Sequence, residues 1–134
     1  MRRNRINRWL ASLLIMLLVV CVLPRTAYAA ETSGTCGDDL TWSFSAGTLT
    51  ITGSGAMADY SEEKPAPWYA FRDKIVSLSL PEGLSRVGSY AFAQCTQLQT
   101  VSLPDTVTEV GESGFFACER LQFLTLSANL LRIK

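Results

Sequence analysis

The chain has 134 residues, with 12 basic side chains, 12 acidic side chains and no histidine. Five of the basic residues lie within the first 29 positions, so residues 30–134 carry a net charge of −5. That balance disfavours binding to nucleic acid and to anionic membrane surfaces, because both attract lysine and arginine. The lack of histidine excludes Ser-His-Asp and Cys-His catalytic arrangements.

The first 29 residues have the pattern of a secretory signal peptide. Four arginines precede an apolar run over residues 9–23, Pro24 ends the run, and Ala-Tyr-Ala at 27–29 fits a cleavage site. We expect cleavage after Ala29 and a secreted or cell-surface protein with no membrane span once the signal is removed. The alternatives are an uncleaved anchor, for which the run is shorter than about 20 residues, and lipidation at Cys21.

Residues 30–74 are predicted to form an N-terminal cap. Residues 30–39 are polar and are expected to be a loose leader. Apolar and polar residues alternate over residues 40–53 around a glycine-containing turn, which predicts a β-hairpin with one apolar face. A loop rich in glycine, proline and charge follows over residues 53–67, and the aromatic segment 68–71 is expected to be a short helical turn.

The rest of the chain repeats with a period of 23 residues. Residues 75–97 and 98–120 are identical at seven of 23 aligned positions, and residues 121–134 begin a third copy. A period of this length is typical of a solenoid, in which each unit buries its apolar face by stacking on its neighbour. The prediction is therefore a mainly β solenoid, preceded by the hairpin cap. Solenoids usually bind other molecules, so the repeat also favours a binding function.

Each repeat is expected to contain a strand, a second extended piece and a short helical or 3₁₀ turn. In the first repeat these elements are predicted at 76–80, 84–87 and 90–95, and in the second at 99–103, 107–110 and 114–118. The apolar positions of each repeat are expected to point into the coil.

The repeat residues resemble a known family. The consensus Leu-x-x-Leu-x-Leu appears as Ile75-x-x-Leu78-x-Leu80, Leu98-x-x-Val101-x-Leu103 and Leu121-x-x-Leu124-x-Leu126. A proline after the strand, a Val-Gly pair, a phenylalanine and a cysteine also recur at the same spacing. Together they resemble the BspA-like (treponemal-type) leucine-rich repeat of bacterial surface proteins.

The region before the repeats is similar to the N-terminal cap of that family, in Leu40-Thr41-Trp42, Gly47-Thr48-Leu49, Gly53-x-Gly55-x-Met57 and Pro67-Trp68. The resemblance implies a secreted or surface-displayed horseshoe that adheres, without enzymatic activity, to a protein or glycan on a host or neighbouring cell. Two features depart from the family: Gly114 replaces the usual alanine, and members usually carry many more repeats. The second departure leaves an alternative interpretation open. The chain would then be a truncated structural fragment of a larger surface protein, with no independent activity.

The candidate binding site is the concave face of the strands. Its residues are those between the buried positions, with two acids at the strand ends: Ser77, Ser79, Glu82, Thr100, Ser102, Asp105, Phe123 and Thr125. This surface is rich in hydroxyl groups and mildly acidic, so it suits a protein or glycan partner that forms hydrogen bonds. An ordinary solvated strand face is the alternative interpretation.

No catalytic, metal or cofactor site is predicted. Adjacent carboxylates on loops are usually solvated, and the acids lack the alternating pattern of a calcium loop. Cys95 and Cys118 occupy the same repeat position and are expected to stack as buried thiols, although a disulfide between them is an alternative. Trp42 and Trp68 are expected to be core residues rather than a carbohydrate platform.

The third repeat has no predicted neighbour to cover its apolar face. The uncovered residues are Leu121, Leu124, Leu126, Leu130 and Ile133. Each uncovered large side chain forgoes about 1.5–3 kcal/mol of burial. The expectation is therefore a marginal fold, self-association through this repeat, or a fragment of a longer gene product.

Overall fold

The computed structural model describes residues 30–134, and the predicted signal peptide lies outside them. The described chain contains strands β1 Ser33–Thr35, β2 Gly37–Ser45, β3 Thr48–Met57, β4 Ser77–Ser79, β5 Gly83–Val87, β6 Thr100–Ser102, β7 Glu109–Val110, β8 Phe123–Thr125 and β9 Arg132–Ile133. A 3₁₀ helix spans Tyr69–Phe71, within the predicted helical turn. The prediction of a mainly β fold with short turns is confirmed.

Strands β2 and β3 form the predicted hairpin, and it is longer than the sequence pattern indicated. The pairing runs from Ser45 opposite Thr48 to Gly37 opposite Met57. The two turn residues have positive φ angles, 49° at Ala46 and 79° at Gly47, as the tight hairpin turn requires. Leu40 and Trp42 of β2 are buried, and so are Leu49 and Ile51 of β3, which gives this part of the hairpin one apolar face.

Two of the predicted cap loops are partly strand. The leader over residues 30–39 was expected to be loose, but β1 pairs antiparallel with β2, with Ser33 opposite Ser43. The loop expected from residue 53 onwards instead continues β3 to Met57. Gly53 permits this extension because its φ is +106°, and a Cβ there would overlap the carbonyl oxygen of Asp39.

Strand β3 pairs with the first two strands of the repeats, β4 and β5. Its first half pairs in parallel with β4, through Thr48 opposite Ser77, and its second half pairs in parallel with β5, through Ser54 opposite Gly83. Two parallel ladders therefore start from one strand. We call β4, β6 and β8 the first ladder, and β5, β7 and β9 the second ladder.

Residues 89–94 of the first repeat form a hydrogen-bonded turn, where a short helical or 3₁₀ turn was predicted over residues 90–95. Backbone N–H groups of Tyr90, Phe92 and Gln94 donate to carbonyl groups of the next coil, at 2.9, 2.8 and 2.6 Å. Tyr90 and Gln94 have left-handed backbones, with φ of 52° and 61°. Left-handed residues at these two positions are incompatible with a continuous helix.

Aromatic rings stack through the centre of the molecule. The Trp68 and Phe92 rings are stacked with centroids 5.7 Å apart, and Phe92 and Phe115 follow at 5.4 Å. Trp42 packs edge-on against Trp68 at 5.8 Å. Both tryptophans are buried, so their predicted placement in the core is confirmed. The cap and the coils consequently share one hydrophobic core.

Candidate functional site

The predicted binding residues lie on the first ladder and in the turns that follow its strands. All eight are exposed. Ser77 lies opposite Thr100, and Thr100 lies opposite Phe123, while Ser102 lies opposite Thr125. Neighbouring strands are about 4.8 Å apart, so the structure brings the six strand residues together as one patch. We call this patch, residues 77, 79, 100, 102, 123 and 125, the first-ladder face.

The two acidic residues have different surroundings. Glu82 is exposed in the turn after β4. The Asp105 carboxylate accepts a hydrogen bond from the Ala128 backbone N–H at 3.0 Å. Its backbone carbonyl also accepts from Asn129 Nδ2 at 2.9 Å and from Ser127 Oγ at 3.2 Å. Asp105 therefore links the second and third coils, and a partner would have to compete with those bonds.

Residues of the cap extend the first-ladder face, and the sequence reasoning missed them. Thr48 and Thr50 of β3 lie opposite Ser77 and Ser79 in parallel register. On the other edge of β3, Ser43 lies opposite Thr50. The available signal was the alternation of hydroxyl residues along the hairpin, which indicated a polar face but not its alignment with the repeats.

The second ladder carries a chain of charged side chains instead of hydroxyl groups. Arg86 contacts Asp59 at 2.7 Å and Glu109 at 3.0 Å, and Lys134 contacts Glu109 at 3.1 Å. The backbone amide of Ser89 and the Arg86 guanidinium lower the pKa of Asp59. Hydrogen bonds from Arg86 and Lys134 lower the pKa of Glu109. These charges pair along the stack and bridge the cap to successive coils.

The cysteines are packing residues rather than nucleophiles. Within the part of the chain that the structure describes, Cys36, Cys95 and Cys118 form no disulfide bond. Burial raises the pKa of Cys36 to about 11 and that of Cys95 to about 12, and it also raises the pKa of Cys118. The Cys118 thiol donates to the Phe92 carbonyl at 3.2 Å. A thiolate is needed for nucleophilic attack, so these positions are poorly suited to catalysis at neutral pH.

Within residues 30–134 there is no group of three or more His, Cys, Asp or Glu side chains arranged to hold a metal ion. The same residues include no helix long and apolar enough to cross a membrane.

Comparison with known proteins gives a family and a structural relative. No curated protein matches the chain significantly. A leucine-rich repeat protein from Eubacterium ventriosum ATCC 27560, known from a crystal structure, is 33% identical over 71% of this chain, with a TM-score of 0.62. The match spans 26% of the length of that protein. The family model described as BspA type leucine rich repeat region (6 copies) matches residues 67–134. This chain therefore belongs to the BspA-type leucine-rich repeat family.

Proposed function

We propose that this protein is a secreted or cell-surface adhesion module, without enzymatic activity, that binds its partner through the first-ladder face. Its family supports a repeat-based interaction module. The observation that carries the proposal is the in-register exposure of Ser77, Thr100 and Phe123, with Ser102 beside Thr125. A regular exposed surface on a rigid scaffold allows many weak contacts to act together without ordering a loop.

Support for secretion comes from the sequence. The arginines, apolar run and Ala-Tyr-Ala site of residues 1–29 are typical of a signal peptide. Expression in a bacterial host should therefore release a protein that begins at Ala30. Mass spectrometry of the secreted product checks this, and a chain retaining residues 1–29 would contradict it.

Charge placed on the face should prevent binding. A Ser79→Asp/Ser102→Asp variant introduces carboxylates that a partner must desolvate or repel. We expect at least about a tenfold loss of affinity, equivalent to about 1.4 kcal/mol, when labelled protein is titrated onto intact bacterial and epithelial cells. Unchanged binding by the double variant would exclude the first-ladder face.

Lys64→Glu is the matched control. Lys64 is exposed in the cap loop after β3, and this substitution changes the net charge by the same amount as the double variant. We expect Lys64→Glu to bind like the wild type, so that any loss in the double variant reports the position of the charge.

A second candidate function is a structural component of a larger surface assembly. The last coil exposes several large apolar side chains: Leu124 at 40%, Leu126 at 47%, Leu131 at 85% and Ile133 at 62%. We call these four residues the end face. Stacking of this face on another coil would give the chain a structural role even without a ligand on the first ladder.

A further inference from the structure

Hydroxyl side chains run in unbroken rows from the cap across the repeats. The first row is Ser45, Thr48, Ser77, Thr100 and Phe123. The second row is Ser33, Ser43, Thr50, Ser79, Ser102 and Thr125. Its Ser79–Ser102 step follows from the register of Ser77 opposite Thr100. Phe123 is therefore the one member of either row that is not serine or threonine.

The rows have a regular spacing in two directions. Side chains in one row are about 4.8 Å apart across the strands, and the two rows are about 6.7 Å apart along each strand. Every hydroxyl group both donates and accepts hydrogen bonds. The surface thus presents the same pair of groups repeatedly, on β2, β3, β4 and β6.

The rows carry no charged side chain, although 18% of the whole chain is charged. Glu82 and Asp105 lie in the turns beyond the ends of β4 and β6. Phe123 closes the first row with 66% of its surface exposed. Such a surface suits a partner that is neutral, rich in hydroxyl groups, and has an apolar patch that can pack on a phenyl ring.

We propose that the rows bind a neutral, extended polysaccharide that runs across the strands from the cap to Phe123. This inference rests on the proposed function and names the partner class of the same face. Sugar hydroxyls match the donor and acceptor character of serine and threonine, and the apolar face of a sugar ring packs on Phe123. A protein partner fits less well, because protein interfaces favour tyrosine, tryptophan, methionine and arginine and are depleted in serine.

The repeated spacing favours a polymer over a single sugar. One ring reaches only a few of the hydroxyl groups, and each neutral hydrogen bond adds little net affinity because it replaces a bond to water. A chain with a regular repeat engages successive strands at high effective concentration. Affinity should therefore increase with the number of sugar units.

The test is to mix the purified protein with insoluble amorphous cellulose, a neutral β-1,4-glucan, at low and high salt. The protein left in solution after the cellulose is removed measures binding. We expect binding that persists at high salt, because the rows carry no charge to screen. Soluble cello-oligosaccharides should compete more strongly as they lengthen. No depletion, depletion abolished by salt, or competition that does not depend on length would each overturn the proposal.

Two variants locate the site. Ser43→Asp/Thr50→Asp places charge only on the cap, and we expect about a tenfold loss of cellulose binding, with Lys64→Glu unchanged. Thr50→Val/Thr100→Val preserves side-chain shape and strand preference while it removes two hydroxyl groups, so it keeps the test valid if the acidic variant unfolds. If cellulose depletes a folded Thr50→Val/Thr100→Val variant to the same extent as the wild type, the hydroxyl rows are not the site.

Cellulose binding and cell binding together distinguish a wrong partner class from a wrong binding surface. If cellulose fails to deplete the protein while Ser79→Asp/Ser102→Asp still weakens binding to cells, the partner is a different molecule and the first-ladder face remains the binding surface. If that variant leaves binding to cells unchanged as well, both proposals are wrong.

Discussion

The two buried tryptophans of the cap, Trp42 and Trp68, differ in the hydrogen bonding of their indole N–H groups. Trp68 Nε1 donates to the Ala91 carbonyl at 2.8 Å and so ties the cap to the first coil. Within residues 30–134 the buried Trp42 Nε1 has no hydrogen-bond partner, and a Cβ at Gly34 would lie 2.9 Å from it. The close approach of β1 at Gly34 is what seals the Trp42 indole from water.

This difference predicts unequal costs for the same substitution. Trp68→Phe leaves the buried Ala91 carbonyl without its donor, which costs about 1–3 kcal/mol beyond the lost packing. Trp42→Phe removes an N–H that bonds to no group of residues 30–134, so it should cost only the lost packing. Urea denaturation of the two variants measures the difference. Equal losses of unfolding free energy would contradict the account of the Trp68 hydrogen bond.

At the scale of single elements, the second ladder couples stability to pH. The pKa values of Asp59 and Glu109 are lowered by their hydrogen-bond and charge partners, Arg86 foremost for Glu109. Lowered carboxyl pKa values stabilise the folded state above the unfolded pKa, near pH 4, and this contribution is lost as the pH falls. The protein should therefore melt at progressively lower temperature below about pH 5.

Glu109→Gln should weaken that dependence. The amide cannot titrate, so the variant should melt lower than wild type at pH 7 and lose less on acidification. Thermal melts from pH 7 down to pH 3 check this. Glu119→Gln is the control, because Glu119 is exposed in a turn away from the second ladder. A Glu109→Gln profile parallel to that of the wild type would contradict the role of Glu109.

The elements also show how much of this fold the sequence could predict. The 23-residue period and the strand alternation predicted the repeat strands and the hairpin correctly. Strand β1 was missed because Ser33, Gly34 and Thr35 carry no apolar alternation, and they pair only because the β2 edge is available. The left-handed turn residues were missed because Tyr90 and Ser113 are not types that favour positive φ.

The proposed binding face was predictable only in part. Alternation within each repeat identified the exposed positions of the first ladder. The alignment of Thr48 and Thr50 with Ser77 and Ser79 depends on a long-range parallel register, which leaves no local signal in the sequence. The hydrogen bonds that Asp105 accepts from the third coil likewise depend on contacts between two coils, which the local sequence does not show.

At the scale of the whole molecule, the end face should promote self-association. Its four side chains are exposed, and the outer edges of β8 and β9 lie beside it. Exposed apolar surface next to strand edges that pair with no other strand of residues 30–134 is a template for pairing with another chain. We expect sedimentation velocity to show a mass that increases with concentration in the micromolar range.

A charged end face should abolish this association. Leu131→Glu/Ile133→Glu should sediment as a monomer at every concentration, because burying the new carboxylates is unfavourable. Phe116→Glu is the control, since Phe116 is 55% exposed on the turn side of the coil. Association that persists in the double variant, or that is lost equally in the control, would contradict the end face as the contact.

The central claim is that the first-ladder face exists because cap and coils fold as one unit on β3. Its most direct test is the thermal unfolding of the purified protein, followed together by tryptophan fluorescence and far-ultraviolet circular dichroism. Trp42 and Trp68 report the cap, and circular dichroism reports all the strands. The account predicts one transition with the same midpoint by both probes, because β3 and the stacked aromatic rings join the two parts. Separate midpoints would show that the cap and coils unfold independently, and would contradict a binding face shared between them.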